Sequence, residues 1–182
     1  METKTQKIKK LRYLEPKYVS EPNLFIKEIV RDWNINWSVH FGFLFSYSMC
    51  PQLDKNRVFE YGFTYIHLAQ MIEAAYTILK MMNWQPTAKK KLFRYKHYGE
   101  LRSFLEKEKM YPQQIICDFF GFMNLRDWYD FLDELLLSSD IKNTCDFEIR
   151  PEHLMARELV VLLPDALLKL HEDNTESIIH NT

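Results

Sequence analysis

The chain contains little glycine and little cysteine. Four glycines in 182 residues leave few positions for the tight turns that join hairpin strands, which favours helices over a β-sheet protein. The three cysteines, Cys50, Cys117 and Cys145, are odd in number and widely spaced, so they predict neither a disulfide framework nor a paired-cysteine metal site. A chain of this length can bury roughly 70% of its unfolded surface without such cross-links.

Long apolar runs are also missing. None approaches the roughly 20 residues that a transmembrane helix needs. The first ten residues, METKTQKIKK, are basic and polar and are not followed by the apolar segment of a signal peptide. We therefore expect no contact with a membrane and a cytoplasmic location, where a reducing environment suits the unpaired cysteines.

The familiar motifs of catalysis and cofactor binding are absent. The sequence has no GxGxxG or GxxxxGK[ST] loop to bind phosphates, no HExxH and no GxSxG. Its six histidines are scattered, so a zinc site would have to be assembled by the fold. We predict no catalytic residue, no metal site and no cofactor, and we expect Cys117 to be buried and unreactive.

The strongest positive feature is a long apolar stretch, residues 57–84. Its first polar residues, Arg57, Glu60, Thr64 and His67, follow one another at steps of three and four, the spacing of one helix face. Strong helix formers dominate its second half. Because so little of its surface is polar, we predict a central helix that other helices enclose.

The rest of the chain predicts a mainly α fold, a single domain of about six helices around that central helix. The other helices are predicted at 24–33, 88–109, 112–120, 124–137 and 151–170. Residues 34–48 alternate between apolar and polar, so a short extended or β segment near residues 35–45 is the alternative to a helix there.

Three regions and several boundaries are predicted as well. Residues 1–20 are expected to form a flexible basic arm, with ordering by contact of Leu11, Tyr13 and Leu14 with the body as the alternative. Residues 21–171 are expected to form the helical domain and 172–182 a disordered tail. The boundary residues are Ser20 as an N-cap before Pro22, Gly121 as a residue that ends a helix, Asn124 as an N-cap, and Pro164 as a residue that ends or kinks the last helix.

Charge is distributed unevenly although the net charge is only −1. Residues 89–109 contain eight basic and three acidic residues, whereas 110–182 contain five basic and fourteen acidic ones. Basic residues interleaved with aromatic ones, as in KKKLFRYKHY, can contact phosphates and stack on bases. The predicted nucleic-acid-binding residues are Lys89, Lys90, Lys91, Arg94, Lys96 and Arg102. The alternative is a solvated helix face, or one that pairs with the acidic third.

The helices predicted at 112–120 and 124–137 have the lengths and the turn of a helix-turn-helix. The second one would bring Asp127 and Asp130 against DNA phosphates, with only Arg126 to offset them. We therefore interpret the pair as an ordinary helical hairpin of the core.

His67 and Glu73 form a predicted polar cluster on the central helix. One interpretation is a polar cleft in which His67 acts as an acid or base; the other is a polar stripe that faces a neighbouring helix or water. Taken together, the sequence predicts a non-enzymatic helical regulator that acts through protein contacts, as a homodimer or with a partner protein. A nucleic-acid-binding regulator that uses residues 89–109 is the first alternative, and an enzyme with a His67/Glu73 cleft is the second.

Overall fold

The computed structural model describes residues 11–33, 35–49, 58–88, 111–140 and 151–179. Within these ranges the chain forms seven helices and no strand, which confirms the mainly α single domain. The helices are α1 (Pro16–Ser20), α2 (Pro22–Phe25, continued by a π-helical segment, Ile26–Arg31), α3 (Trp37–Met49), α4 (Val58–Met81), α5 (Pro112–Phe122), α6 (Leu125–Asp140) and α7 (Pro151–Ile179).

Helix α4 is the centre of the described fold, as the sequence predicts. It contacts each of the other six helices. Most of its surface between Leu68 and Leu79 is covered: Leu68, Met71, Ile72 and Ala75 have no exposed surface. Burial of this apolar surface is the main source of stability for the domain.

Residues 37–49 are helical, so the predicted alternative of a β segment near residues 35–45 is wrong. Trp37, Phe41, Leu44 and Phe45 are all buried, at steps of four, three and one, and they form one side of α3. The contacts of α3 with α4, α6 and α7 bury that side. Alternation along the sequence could not show this, because an aromatic-rich segment has apolar residues at helical and at strand spacings alike.

Helices α5 and α6 follow each other at the predicted places, joined by Met123 and Asn124. The side chain of Asn124 accepts from the backbone N–H groups of Arg126 (2.9 Å) and Asp127 (3.2 Å), which confirms it as an N-cap. The indole of Trp128 stacks on Phe119, with 4.0 Å between ring centroids, and donates to the Phe119 carbonyl at 3.1 Å. These contacts fix the turn between the two helices.

Gly121 lies within α5 rather than after its end, so its predicted role is wrong. The chain after α4 crosses α5 at this point, and the Thr87 N–H donates to the Cys117 carbonyl at 2.9 Å. A Cβ atom at Gly121 would lie 2.1 Å from the Thr87 carbonyl oxygen. The glycine is required because another segment of backbone lies against the helix.

The N-terminal boundary of the domain also differs from the prediction. Residues 11–20 pack on the body, with Leu14 and Tyr18 buried, and residues 1–10 lie outside the described ranges. Ser20 is the last residue of α1, and Glu21 is the N-cap of α2. Leu11, Tyr13 and Leu14 pack on the core, so the predicted alternative of an arm ordered by these residues holds for residues 11–20.

The C-terminal region differs from the prediction at its end. Helix α7 runs through Pro164, as the helix predicted at 151–170 does, and continues to Ile179. Residues 172–179 are thus helical where a disordered tail was predicted. Pro164 is buried, and packing around a proline inside a helix can offset its lost backbone hydrogen bond.

Candidate functional site

Glu73 is the most enclosed charged side chain among the described residues, with no exposed surface. Its carboxylate accepts from the backbone N–H groups of Arg12 (2.7 Å), Tyr13 (3.0 and 3.1 Å to the two oxygens) and Leu14 (2.6 Å). The hydroxyl of Tyr129 on α6 donates to the same carboxylate. We call these five residues the Glu73 cluster.

The backbone just before α1 explains why these amides are available. Residues 12–14 are bent but not helical, and α1 begins only after Glu15. Three successive N–H groups point to one side and form a concavity that suits an anion. Glu73 supplies that anion from inside the fold, so both the amides and the buried carboxylate are satisfied.

A second set of polar contacts surrounds the Glu73 cluster. Gln70 donates to the Tyr13 carbonyl at 3.3 Å, and the Tyr13 and Tyr65 hydroxyls lie 2.9 Å apart. Tyr65 in turn donates to Asp133 of α6. One continuous network of hydrogen bonds therefore joins three parts of the chain: the segment before α1, helix α4 and helix α6.

The phenols of this network act as donors. Burial, and then the hydrogen bond to Asp133, raise the pKa of Tyr65. Burial, and then the hydrogen bond to Glu73, raise the pKa of Tyr129. Both hydroxyls keep their protons at neutral pH. The Arg12 guanidinium lies 4.4 Å from the centroid of the Tyr129 ring, a cation–π contact that places positive charge beside the cluster.

His67 has a different environment, made of aromatic rings. Its imidazole lies 4.2 Å from the Phe63 ring, 5.0 Å from Trp33 and 5.2 Å from Trp37, measured between centroids. Trp33 and Phe63 also stack on each other at 6.0 Å. Ile66 lies one helical turn from Phe63 on the same side of α4.

Part of this aromatic group faces solvent. Trp33 is 43% exposed, Phe63 37% and Ile66 45%. We call Trp33, Phe63, Ile66 and His67 the Trp33 patch. Trp33 directly follows the π-helical end of α2, where the Asp32 N–H donates to the Lys27 carbonyl five residues back, at 3.0 Å.

The chemistry of His67 is that of a neutral imidazole. Burial lowers its pKa, and the hydrogen bond with the Phe63 carbonyl at 2.8 Å opposes that shift. A carbonyl oxygen can only accept, so Nδ1 carries the proton. The ring is therefore uncharged at neutral pH and packs as an aromatic side chain.

The structure does not bring His67 and Glu73 together. The two residues are six positions apart on α4, which separates their side chains by ~120° around the helix axis. Glu73 contacts the residues before α1 and Tyr129, whereas His67 contacts Trp33, Trp37 and Phe63. Each has its own neighbours, and Glu73 is closed off from any substrate by residues 12–14.

A pocket of about 330 Å³ lies between α2, α3 and α7, lined in part by Arg31, Asn36 and Asp165. Burial raises the pKa of Asp165, which accepts from the Ser38 hydroxyl at 3.2 Å. Arg31 already pairs with Asp32 at 2.7 Å. The charged groups that line the pocket are thus engaged within the protein, and the volume of the pocket is at the lower end for a small-molecule site.

The predicted basic residues Lys89, Lys90, Lys91, Arg94, Lys96 and Arg102 lie outside the described ranges. Nucleic-acid binding by residues 89–109 therefore stays a prediction. On α6, Asp127, Asp130 and Glu134 are exposed as expected, and Arg126 pairs with Asp130 at 3.8 Å.

Cys117 is buried in α5. Burial, and then the neighbouring Asp118, raise the pKa of its thiol, so it carries little of the reactive thiolate at neutral pH. Across the described helices, none is both long enough and apolar enough to cross a bilayer. In the same part of the chain, no group of three or more His, Cys, Asp or Glu residues is placed to bind a metal ion.

A comparison with protein-family models, curated proteins and solved structures finds no match for this chain. The functional argument therefore depends on the geometry of the chain itself.

Sequence reasoning missed three contributors to these sites: Trp33, Tyr129 and the backbone of residues 12–14. Glu73 offered a signal, because it is the only acidic residue between positions 61 and 84. A charge in so apolar a helix has to find a partner. Nothing in the sequence shows that the partner is backbone, since every residue carries an amide.

Proposed function

We propose that this chain is a non-enzymatic helical regulator that acts by binding another protein molecule, and that the Trp33 patch is the contact surface. The observation that carries the proposal is the exposure of Trp33, which follows α2, together with Phe63 and Ile66 of α4, next to a part of α4, Leu68–Leu79, that is mostly buried. Apolar groups exposed side by side are typical of protein-binding surfaces.

The composition and rigidity of the patch support this function. Tryptophan is enriched among the residues that contribute most to protein binding. Here Trp33 is held by stacking on Phe63 and by contact with His67. A ring fixed before binding loses little conformational entropy when a partner covers it. The π-helical turn before Trp33 fits the same interpretation, because such turns occur often at functional sites.

The Glu73 cluster supports a role without catalysis. Both carboxylate oxygens accept backbone N–H groups, and Tyr129 closes the remaining side. A general acid or base must come within hydrogen-bond reach of a substrate. Residues 12–14 occupy the position that a substrate would need, so Glu73 contributes to the fold rather than to a reaction.

The test compares Ile66→Glu with Leu137→Glu, a matched change at another exposed apolar residue, on α6. Wild type, tagged at the C-terminus, is examined by size-exclusion chromatography with light scattering and used to capture proteins from its host. We expect either a concentration-dependent dimer or a captured protein, which Ile66→Glu abolishes and Leu137→Glu retains. A strict monomer that captures nothing, or equal loss in both variants, would contradict the proposal.

Nucleic-acid binding is the second candidate, supported by the interleaved basic and aromatic residues at 89–98. Reversing the charge of Lys89, Lys90 and Lys91 should weaken binding to DNA or RNA and flatten its dependence on salt. Absence of any shift with DNA or RNA at low salt would exclude this function.

A further inference from the structure

Residues 11–14, which we call the strap, are attached to the body in an unusual way. In a helix each backbone amide has its own acceptor, so the loss of one bond leaves the others in place. In the strap, the amides of Arg12, Tyr13 and Leu14 all donate to the single carboxylate of Glu73. These three amides of the strap thus depend on one side chain.

The remaining contacts of the strap are made mostly by side chains. Leu14 is buried in the core, Leu11 packs against the core, the Tyr13 hydroxyl meets that of Tyr65, and Gln70 donates to the Tyr13 carbonyl. Each of these contacts holds one residue of the strap, whereas Glu73 joins three successive amides. The loss of Glu73 would therefore loosen these three residues together.

The Glu73 carboxylate has hydrogen-bond partners in two states, one with the strap closed and one with it open. In the closed state its carboxylate accepts the three amides and the Tyr129 hydroxyl. With the strap removed, water would reach the carboxylate and replace those donors. A half-open arrangement would leave a buried charge with too few partners, which is costly. This pattern favours a transition in one step.

We infer that the strap is a latch that opens and closes as a unit on the folded body, and that Glu73 controls it. Opening leaves the helices in place, because the strap lies before α1 and local openings of this kind occur well below the cost of global unfolding.

The latch also determines what covers α6. When it is closed, Arg12 lies over Tyr129 and the Tyr13–Tyr65 pair reaches Asp133, both on α6. Opening the latch would uncover Glu73 and Tyr129, so a ligand that favours either state would shift the equilibrium.

Hydrogen exchange of the full chain, read at single amides by NMR, tests the latch. In wild type, the amides of residues 12–14 should exchange together, more slowly than in an unstructured peptide and faster than the α4 amides of Ile72 and Leu79. Glu73→Gln replaces one acceptor oxygen by an amide donor and should speed exchange at 12–14 by about tenfold or more, the effect of roughly one lost hydrogen bond. Exchange in α4 should change little.

Two further variants keep the test decisive. Tyr129→Phe removes one donor to Glu73 with little change in packing, and should speed exchange at 12–14 alone, even if Glu73→Gln does not fold. Glu134→Gln, on the exposed face of α6, should leave exchange at 12–14 unchanged. The inference is overturned if residues 12–14 exchange at the rate of the α4 core, if they exchange at peptide rates in wild type, or if Tyr129→Phe accelerates all regions equally.

Discussion

The two halves of α4 have similar sequences and opposite environments. From Leu68 to Leu79 most of the helix is covered, and even Glu73 has no exposed surface. From Gly62 to His67 it carries comparable apolar residues, yet Phe63 and Ile66 face solvent. The difference arises from the neighbours: the strap and α6 reach Glu73 and Tyr65, whereas Trp33 covers only part of the side that carries Phe63 and Ile66.

This comparison separates stability from recognition. Residues 68–79 of α4 use Glu73 to satisfy backbone amides and contribute mainly to folding. Residues 62–67, which we call the open half of α4, present aromatic rings that the rest of the chain buries only in part, and we assign binding to them. Substitutions should therefore have large effects on folding in one half and small effects in the other.

The largest effect is expected for Glu73→Ala. The change leaves three strap amides and the Tyr129 hydroxyl without their acceptor. Each buried donor left unsatisfied costs about 1–3 kcal/mol, and since water can reach some of them we expect a total loss of about 3–5 kcal/mol. The free energy of unfolding, measured by urea denaturation, should fall by that amount. Glu134→Ala on the surface is the control and should change it by less than about 0.5 kcal/mol. Equal effects would show that Glu73 is not the attachment point.

Isoleucine occurs in both halves of α4, and its replacement by alanine should give the sharpest contrast in stability. Ile72→Ala removes a side chain with no exposed surface and should cost about 2–5 kcal/mol, because a cavity remains in the core. Ile66→Ala, six residues earlier and 45% exposed, should cost less than about 1 kcal/mol. Urea unfolding of both variants checks this; similar losses would mean that the first half of α4 is also covered.

Replacement of two different glycines by alanine should change stability in opposite directions. Gly121→Ala would place Cβ 2.1 Å from the Thr87 carbonyl oxygen and should destabilise by about 1–3 kcal/mol as the crossing segment is displaced. Gly62→Ala on α4 meets nothing within 4 Å and should stabilise by about 0.5–1 kcal/mol, since alanine is the better helix former. Thermal unfolding distinguishes the two, and a stabilising Gly121→Ala would contradict the close crossing at Thr87.

The smallest effect concerns pH. Burial lowers the pKa of His67 below its usual 6.5 in the folded chain, so the unfolded chain binds the proton first as pH falls. Stability contributed by the neutral ring is thus full above pH 6.5 and is lost as pH drops below that value. His67→Phe should flatten the fall in unfolding free energy between pH 7 and pH 5. An NMR titration that gives His67 a pKa above 6.5 would contradict this environment.

The sequence predicts the fold well where apolar spacing has a single interpretation. The central helix is such a case. The spacing is ambiguous at residues 37–49, where aromatic residues fit both periods. The prediction fails at Gly121, and it leaves two alternatives open at residues 11–14, because tertiary contacts decide at both places. The Trp33 patch could not be predicted either, because exposure depends on which helices cover α4 and not on the composition of α4.

The most direct test of the account is an amide and indole NMR spectrum of the full chain, recorded at increasing concentration and with any protein that the chain captures. We predict that binding shifts or broadens the Trp33 indole signal and the amides of Phe63 and Ile66, while the amides of residues 12–14 keep their positions. Shifts confined to residues 12–14 and Tyr129, with Trp33 unchanged, would contradict the assignment of binding to the open half of α4.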